Sequence, residues 1–275
     1  MFEGIIQIIG KDQGSTSMIL AGVHGNETCG VEAFKKILPN LEIEKGRVLF
    51  CYGNPRAIKT NVRFAEVNLN RMFKKDKLLS ANERNSYEYK RAQFIKKYLN
   101  KAEALLDIHS SFTPNSRAFI ICEANAKGLA KYLPADLVVS GFDQAEPGGT
   151  DSYMNSIGKI GICIECGYLG DSQAVEIAEK SIFAFFKARG HITNDIRPHK
   201  QSYTRIYYLY MTKTNKFNLV KSFDDFEEIS KGQIIGIDGT QKIRAKKAGI
   251  ILFAINSQKI GDEAFLLGEK KNSLA

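Results

Sequence analysis

The stretch Met18–Gly30, MILAGVHGNETCG, decides how the chain is read. Ser17–Val23 is an apolar run with the length of a buried strand, too short for a helix. Gly22 and Gly25 bracket His24 in a tight turn. From Glu27 to Leu38 the apolar residues Val31, Phe34, Ile37 and Leu38 recur with a helical period. His24 and Glu27 therefore sit where a buried strand breaks into a helix, at the carboxyl end of the strand. Open α/β sheets bind ligands at that edge. The spacing His-x-x-Glu lets an imidazole and a carboxylate converge on one point, and that donor pair suits zinc. Alone, such a pair is in most sequences only a polar turn. A site needs a third ligand, a base and a means of holding a substrate.

The flanking sequence repeats the pattern. Ile5–Ile9 is a short strand. Arg47–Tyr52 is a strand that ends at Gly53-Asn54-Pro55-Arg56, a turn signal. Ala104–Ile108 is a strand that ends at His109. Ala118–Cys122 and Leu137–Ser140 are strands, and Gly161–Cys166 is a strand carrying Glu165. Asn82–Asn100, Asn125–Leu133 and Asp171–Arg189 read as helices, the last closed by Gly190. Ala57–Asp76 lacks a clean period and reads as a long functional loop with short helical turns. Gln144–Met154 is glycine-rich and reads as a loop. The predicted fold class is α/β: a mixed, mostly parallel sheet flanked by helices. After Ile196–Lys200 come β-branched and aromatic runs separated by glycines, which predict a small all-β domain. The expected domains are residues 1–198 and 199–275, with Glu269–Ala275 as a frayed tail.

Three strand ends carry an acid or a histidine: VHGNE at 23–27, DIHSS at 107–111 and IECG at 164–167. In a mostly parallel sheet they gather at one edge. His109 is then the third ligand beside His24 and Glu27. Two histidines and one carboxylate leave a fourth tetrahedral position for water, the mark of a catalytic zinc site. Asp107 or a backbone carbonyl would hold the other nitrogen of a ligand histidine. Glu165 lies in an apolar strand, where a carboxylate is costly without a partner. It is either in a core salt bridge or placed as a base, its pKa raised by desolvation. Cys163 and Cys166 lie three apart on a strand and so face opposite sides, which argues against a redox pair. Asn54, Arg56, Arg63, Asn70 and Arg71 gather arginine forks and amides suited to carboxylates and to an oxyanion.

Size and composition set the outer bounds. The 275 residues suffice for one large domain or two unequal ones. The formal net charge is +9, but Lys and Arg are spread along the chain and no nucleic-acid-binding motif occurs. The charge reads mainly as solvated surface, with a smaller share in attracting anions. Five cysteines without framework spacing favour free thiols in a reducing compartment. MFEGIIQIIGKDQG does not resemble a signal peptide, and no apolar run approaches the ~20 residues that span a bilayer. The expectation is a cytoplasmic protein without nucleic-acid or membrane partners. The oligomeric state is open, a homo-oligomer included.

Six motifs then coincide in order: HGNE at 24–27, NPRA at 54–57, R-x-x-x-x-N-x-N-R at 63–71, DIH at 107–109, GGTD at 148–151 and ECG at 165–167. Together they resemble the succinylglutamate desuccinylase/aspartoacylase family, relatives of the zinc carboxypeptidases, over roughly residues 18–190. The resemblance implies a zinc carboxypeptidase-like fold with a β domain narrowing access to the site. It implies one zinc per chain on His24, Glu27 and His109, with Glu165 as general acid/base. Arg63 would polarise the scissile carbonyl. Asn70 and Arg71 would bind a substrate carboxylate, with Arg56 and Asn54 beside them. The implied activity is removal of an acyl group from a small anionic N-acyl amino acid. A carboxypeptidase-like peptidase and a non-catalytic binding homologue are the alternatives. The segment Ser110-Ser111-Phe112 departs from the familiar pattern and bears on the acyl pocket. The resemblance also implies a tyrosine or arginine contributed by the C-terminal domain in some members, and Tyr203, Tyr207, Tyr208 and Tyr210 are the candidates here.

Overall fold

The computed structural model describes residues 3–193 and 195–274. In chain order the elements are β1 (Ile6–Ile9), β2 (Asp12–Ala21), α1 (Cys29–Ile37), β3 (Lys45–Tyr52), α2 (Pro55–Thr60), α3 (Ala81–Asn85), α4 (Tyr87–Leu99), β4 (Ala104–Ser111), β5 (Phe119–Cys122), α5 (Lys127–Ala130), β6 (Leu137–Ser140), α6 (Phe142–Ala145), α7 (Thr150–Ser156), β7 (Ile160–Tyr168) and α8 (Gln173–Arg189). Then follow β8 (Ser202–Met211), β9 (Phe217–Leu219), β10 (Glu227–Ile229), β11 (Ile234–Asp238), β12 (Gln241–Arg244), β13 (Gly249–Leu252) and β14 (Glu263–Lys271). An eleven-stranded mixed sheet runs β1-β3-β2-β4-β7-β5-β6-β8-β14-β13-β10. A separate small antiparallel sheet has the order β12-β11-β9.

The centre of the large sheet is the parallel set β3, β2, β4 and β7. Their near-continuous apolar sequences follow from burial on both faces, since helices cover each side. α1 and α8 pack on one face, where Phe34, Phe50 and Phe186 meet edge to face. α4 and α7 cover the other through Ile95, Leu99 and Met154, with Leu69 of the preceding loop packed among them. Each such large side chain contributes on the order of 2–3 kcal/mol of burial. Parallel alignment brings the carboxyl ends of β2, β4 and β7 to one edge. In the register of β4 and β7, His109 lies opposite Glu165. β5 runs antiparallel to β7 and pairs Phe119 with Glu165.

Two glycines shape this edge. Gly22 turns the chain out of β2 at φ +67°, a conformation that costs glycine little. Gly30 lets α1 close on the sheet, since a Cβ there would press on Ala21 and Ile108.

Several sequence expectations shift. The Gln144–Met154 segment is not a plain loop: it holds the end of α6 and most of α7. Asn82–Asn100 splits into α3 and α4 at Ser86, whose hydroxyl caps α4 by accepting from the Tyr89 N–H. The run AFLLG before Glu269 forms β14, which lies between β8 and β13 in the sheet. The tail is not frayed to its end: β14 reaches Lys271 and Leu274 is buried in the α1/α8 core. Ala275, like Met1 and Phe2 at the other terminus, lies outside the described residues. We propose the division at 198/199 as a boundary of composition, not of hydrogen bonding, because β8 pairs with β6 and carries the sheet across it.

Candidate metal centre and cleft

The turn after β2 and the end of β4 bring together the three predicted ligands. Glu27 lies between the two imidazoles: its Oε1 is 2.7 Å from His24 Nδ1, and its Oε2 is 2.8 Å from His109 Nδ1. One donor atom from each of the three residues falls within 4.8 Å of the others, and all three residues are buried. Each far nitrogen lies near an oxygen, although His109 Nε2 makes no hydrogen bond among the described residues. His24 Nε2 lies 3.1 Å from Asn68 Oδ1, and His109 Nε2 lies 3.2 Å from Asp107 Oδ2. Asp107 in turn accepts from the Thr150 hydroxyl. The expected role of Asp107 as the outer partner of a ligand histidine is thus a short contact here, and second partners of this kind orient ligand imidazoles.

Burial together with the Arg63 guanidinium lowers the His24 pKa to about 4, so this ring is neutral. Burial opposes the charge on Glu27, but the two imidazoles outweigh it and hold the carboxyl well below its ordinary range. His109 is the reverse case: burial opposes its charge, and Asp107 with Glu27 outweighs burial and raises its pKa well above 6.5. A histidine flanked by two carboxylates marks a spot where the chain has gathered negative charge around a cationic centre.

The donor set fits a divalent metal. Two imidazoles and one carboxylate of borderline softness, within bonding reach of one point, match zinc. Glu165 Oε2 is buried with no hydrogen-bond partner among the described residues, on the strand next to His109. Burial, then the charge of Glu27, raises the Glu165 pKa well above its ordinary range. The core salt bridge considered for Glu165 does not form among the described residues. Cys163 and Cys166 do face opposite sides: Cys163 joins Phe119 and Ile121, and Cys166 joins the α1/α8 core.

A cleft of about 670 Å³ opens over this edge and is lined by His24, Glu27, Arg63, Asn70, Arg71, His109 and Glu165 among others. Arg63 reaches Glu27 Oε1 at 2.9 Å. Asn70 accepts from the Thr150 N–H. Arg71 is heavily engaged: Nε and Nη2 each donate to Glu263 at 2.6 Å, Nη2 also meets Glu146 at 2.8 Å, and Nη1 donates to the Asn70 carbonyl.

Asn54 and Arg56 are not in the cleft lining. Asn54 is fully buried and caps α2, accepting from Ala57 N and donating to Glu88. Its place in an Asn-Pro turn made it a cap before it was anything else. Arg56 is exposed, with its guanidinium 4.0 Å above the Tyr87 ring. The four tyrosine candidates of β8 are not in the lining either. Tyr210 donates to Asp238 instead, and it is Leu209 and Met211 of the same strand that reach the cleft.

Sequence reasoning passed over three carboxylates. Glu88, buried on α4, accepts from the backbone N–H groups of Ala65, Glu66 and Val67, and so fixes the segment between Arg63 and Asn68. Asp225 accepts from the hydroxyls of Ser111, Thr113 and Ser116 and from Phe253 N, tying the segment after His109 to the C-terminal strands. Glu263 clasps Arg71 from the start of β14. None lies in a motif. The one local signal was a carboxylate inside the apolar face of the α4 helix.

Fold and site together define an α/β protein with a buried imidazole–carboxylate trio at the carboxyl edge of its sheet. Residues 13–187 match the Succinylglutamate desuccinylase/Aspartoacylase catalytic domain, and the chain belongs to that family. It is 32% identical over 166 residues to the N-acyl-aromatic-L-amino acid amidohydrolase (carboxylate-forming) of Rattus norvegicus, covering 54% of this chain and 52% of that protein. It is 40% identical over 76 residues to the succinylglutamate desuccinylase of Photorhabdus laumondii, covering 26% of this chain and 23% of that protein. The matched stretch thus spans a quarter to a half of these relatives' length. Among solved structures, the fold is shared with succinylglutamate desuccinylase from Vibrio cholerae, at TM-score 0.82 and 20% identity over 97% of this chain and 85% of that one. It is also shared with the ectoine utilization protein EutE (DoeB) from Ruegeria pomeroyi, at TM-score 0.73 and 19% identity over 96% and 88%. No helix among the described residues is long and apolar enough to cross a membrane.

Proposed function

We propose that this chain is a zinc-dependent amidohydrolase that removes the acyl group from a small anionic N-acyl amino acid. The observation that carries the reading is the buried His24–Glu27–His109 trio with Glu165 opposite His109 on the neighbouring strand, all lining one cleft. His24, Glu27 and His109 would hold one zinc per chain. Bound there, zinc supplies Lewis acidity that acidifies water and polarises a carbonyl.

The remaining work falls to the chain's own residues. Glu165 takes a proton from the attacking water and delivers one to the leaving amine nitrogen. Its apolar surroundings suit this, since a carboxylate with a raised pKa is both a better base and a usable acid near neutral pH. Arg63 offers its guanidinium to the carbonyl oxygen as negative charge develops. Asn70 and the one Nη1 hydrogen that Arg71 keeps outside its clasp provide for one substrate carboxylate, and so fix the amide over Glu165. Asp107 and Asn68 hold the imidazoles in place, and Glu88 holds the segment that presents Arg63. The support for this assignment is the coincidence of trio, base and cleft with the family's catalytic domain.

The test is Glu165→Gln. The variant is expected to keep about one zinc per chain by elemental analysis and to lose 10²–10⁴-fold in turnover, the usual worth of a general acid–base. A variant that stays active overturns the assignment of the base. Native protein that binds no zinc overturns the reading of the trio.

A further inference from the structure

The chain is strongly basic, yet its cleft is not. Nine carboxylate residues line the cleft against three basic ones, Arg63, Arg71 and Lys259. Arg63 gives one nitrogen to Glu27 and its remaining face is the one assigned to the scissile carbonyl, while Arg71 is clasped by Glu263 and Glu146. Lys259 is largely exposed and 4.0 Å from Asp262. A second or third substrate carboxylate would therefore meet like charge without a free guanidinium fork to receive it.

Beside the base the floor changes character. Ile121, Cys163 and Leu266 line the cleft next to Glu165, and they belong to one apolar core. Phe253 closes this end, 5.9 Å from the Phe112 ring and 6.3 Å from the Phe142 ring. Phe253 sits at φ +52° and its neighbour in space Phe226 at φ +67°. Bulky residues take such backbone conformations only where the surroundings enforce them. Here Asp225 does so, accepting from Phe253 N at 2.8 Å while it binds the three hydroxyls of the segment that carries Phe112. Enforced backbone strain, three rings and a Glu165 carboxylate without a hydrogen-bond partner among the described residues converge on one end of the cleft.

We infer that the subsite formed by Phe112, Phe142 and Phe253 takes an uncharged aromatic group flanking the scissile amide, so that the preferred substrate is a monocarboxylate N-acyl amino acid and not a di- or tricarboxylate. The inference rests on the N-acyl amino acid reading of the same site. The apolar group belongs either to the amino acid or to the acyl half, and the test separates the two.

Zinc-loaded native protein is assayed on N-acetylphenylalanine, N-benzoylalanine, N-acetylalanine, N-acetylaspartate and N-succinylglutamate. At least one aromatic substrate is expected to exceed N-acetylalanine about 10- to 200-fold in kcat/KM, the range one apolar group supplies in a pocket. Both polycarboxylates are expected below N-acetylalanine. Binding of the same five compounds to Glu165→Gln, measured by calorimetry, is expected in the same order. Phe253→Ala is expected to cut the aromatic-to-alanine ratio at least tenfold. Glu263→Gln, which loosens the clasp on Arg71, is expected to raise the aspartate-to-alanine ratio. Equal rates on aromatic and alanine substrates overturn the inference. So does a preference for N-succinylglutamate or for N-acetylaspartate, and those results leave amide hydrolysis standing. Absence of both turnover and binding for all five overturns the N-acyl amino acid reading and this inference with it.

Discussion

The buried half of strand β2, from Ser17 to Ala21, ends at one buried histidine site and begins at another, and the two are built on different principles. At its start, Ser17 meets His191, whose Nε2 lies 2.7 Å from the Ser17 hydroxyl and whose Nδ1 lies 2.9 Å from the Lys45 carbonyl. Arg189 reaches the same hydroxyl and pairs with Glu103. Both ring nitrogens of His191 have neutral partners, and burial lowers its pKa. At the other end, His24 and His109 share a carboxylate instead, and Glu165 Oε2 beside them has no partner among the described residues. One end spends its polar groups on closing the fold. The other holds charge and an acceptor that no described residue meets. Burial alone does not separate a structural histidine from a ligand; the charge of its partners does.

The contrast is tested most severely by removing ligands. His24→Ala or His109→Ala is expected to abolish stoichiometric zinc and lower turnover by more than about a thousandfold, read by elemental analysis and assay. His191→Ala is expected to do the opposite. It should leave kcat/KM within about twofold and cost about 2–3 kcal/mol for the cavity and the unmet Ser17 hydroxyl. For a chain of this size that is a fall of roughly 5–10 °C in Tm by calorimetry. Lost activity at normal stability in the His191 variant would erase the distinction.

A smaller effect is one of sign with pH. Burial raises the Asp151 pKa to about 7 from an ordinary 3.8. In chelated protein the folded state then binds more protons than the unfolded state between about pH 4 and 7. Asp151 therefore costs stability as pH rises through that window. Asp151→Asn is expected to raise Tm more at pH 8 than at pH 5. His191 runs the other way. Its folded pKa lies below 6.5, so the unfolded state binds more protons as pH falls from that value, and stability drops on acidification. His191→Gln is expected to flatten that acid limb. Equal Tm gains for Asp151→Asn at both pH values would show that the carboxyl is not held protonated.

The active edge was legible where its residues follow one another along a strand end. His24 and Glu27 share a turn, and His109 and Glu165 each close an apolar run, so period and turn chemistry locate them. A parallel sheet then gathers those ends. The unreadable part lies in side chains that meet across long stretches of chain. Glu263 finds Arg71 across 192 residues, and Asp225 finds Ser111 across 114. Asn54 read as a substrate residue from its motif, but its amide caps α2 and holds Glu88. The β8 tyrosines read as candidates from their chemistry, but Tyr208 and Tyr210 alternate away from the face on which Leu209 and Met211 reach the cleft, and Tyr207 and Tyr203 lie at and beyond the register irregularity near Tyr207. β14 was passed over, although its run AFLLG has a strand's composition.

Local order in this chain is written residue by residue. The alternation of apolar runs with turns specifies strands and helices, and the identity of each strand's last residue specifies what stands at the sheet edge. The charge of the cleft is not written that way. A sequence with net charge +9 says nothing of which carboxylates face inward. Coulomb interactions and desolvation depend on distance in space, and folding alone sets that distance.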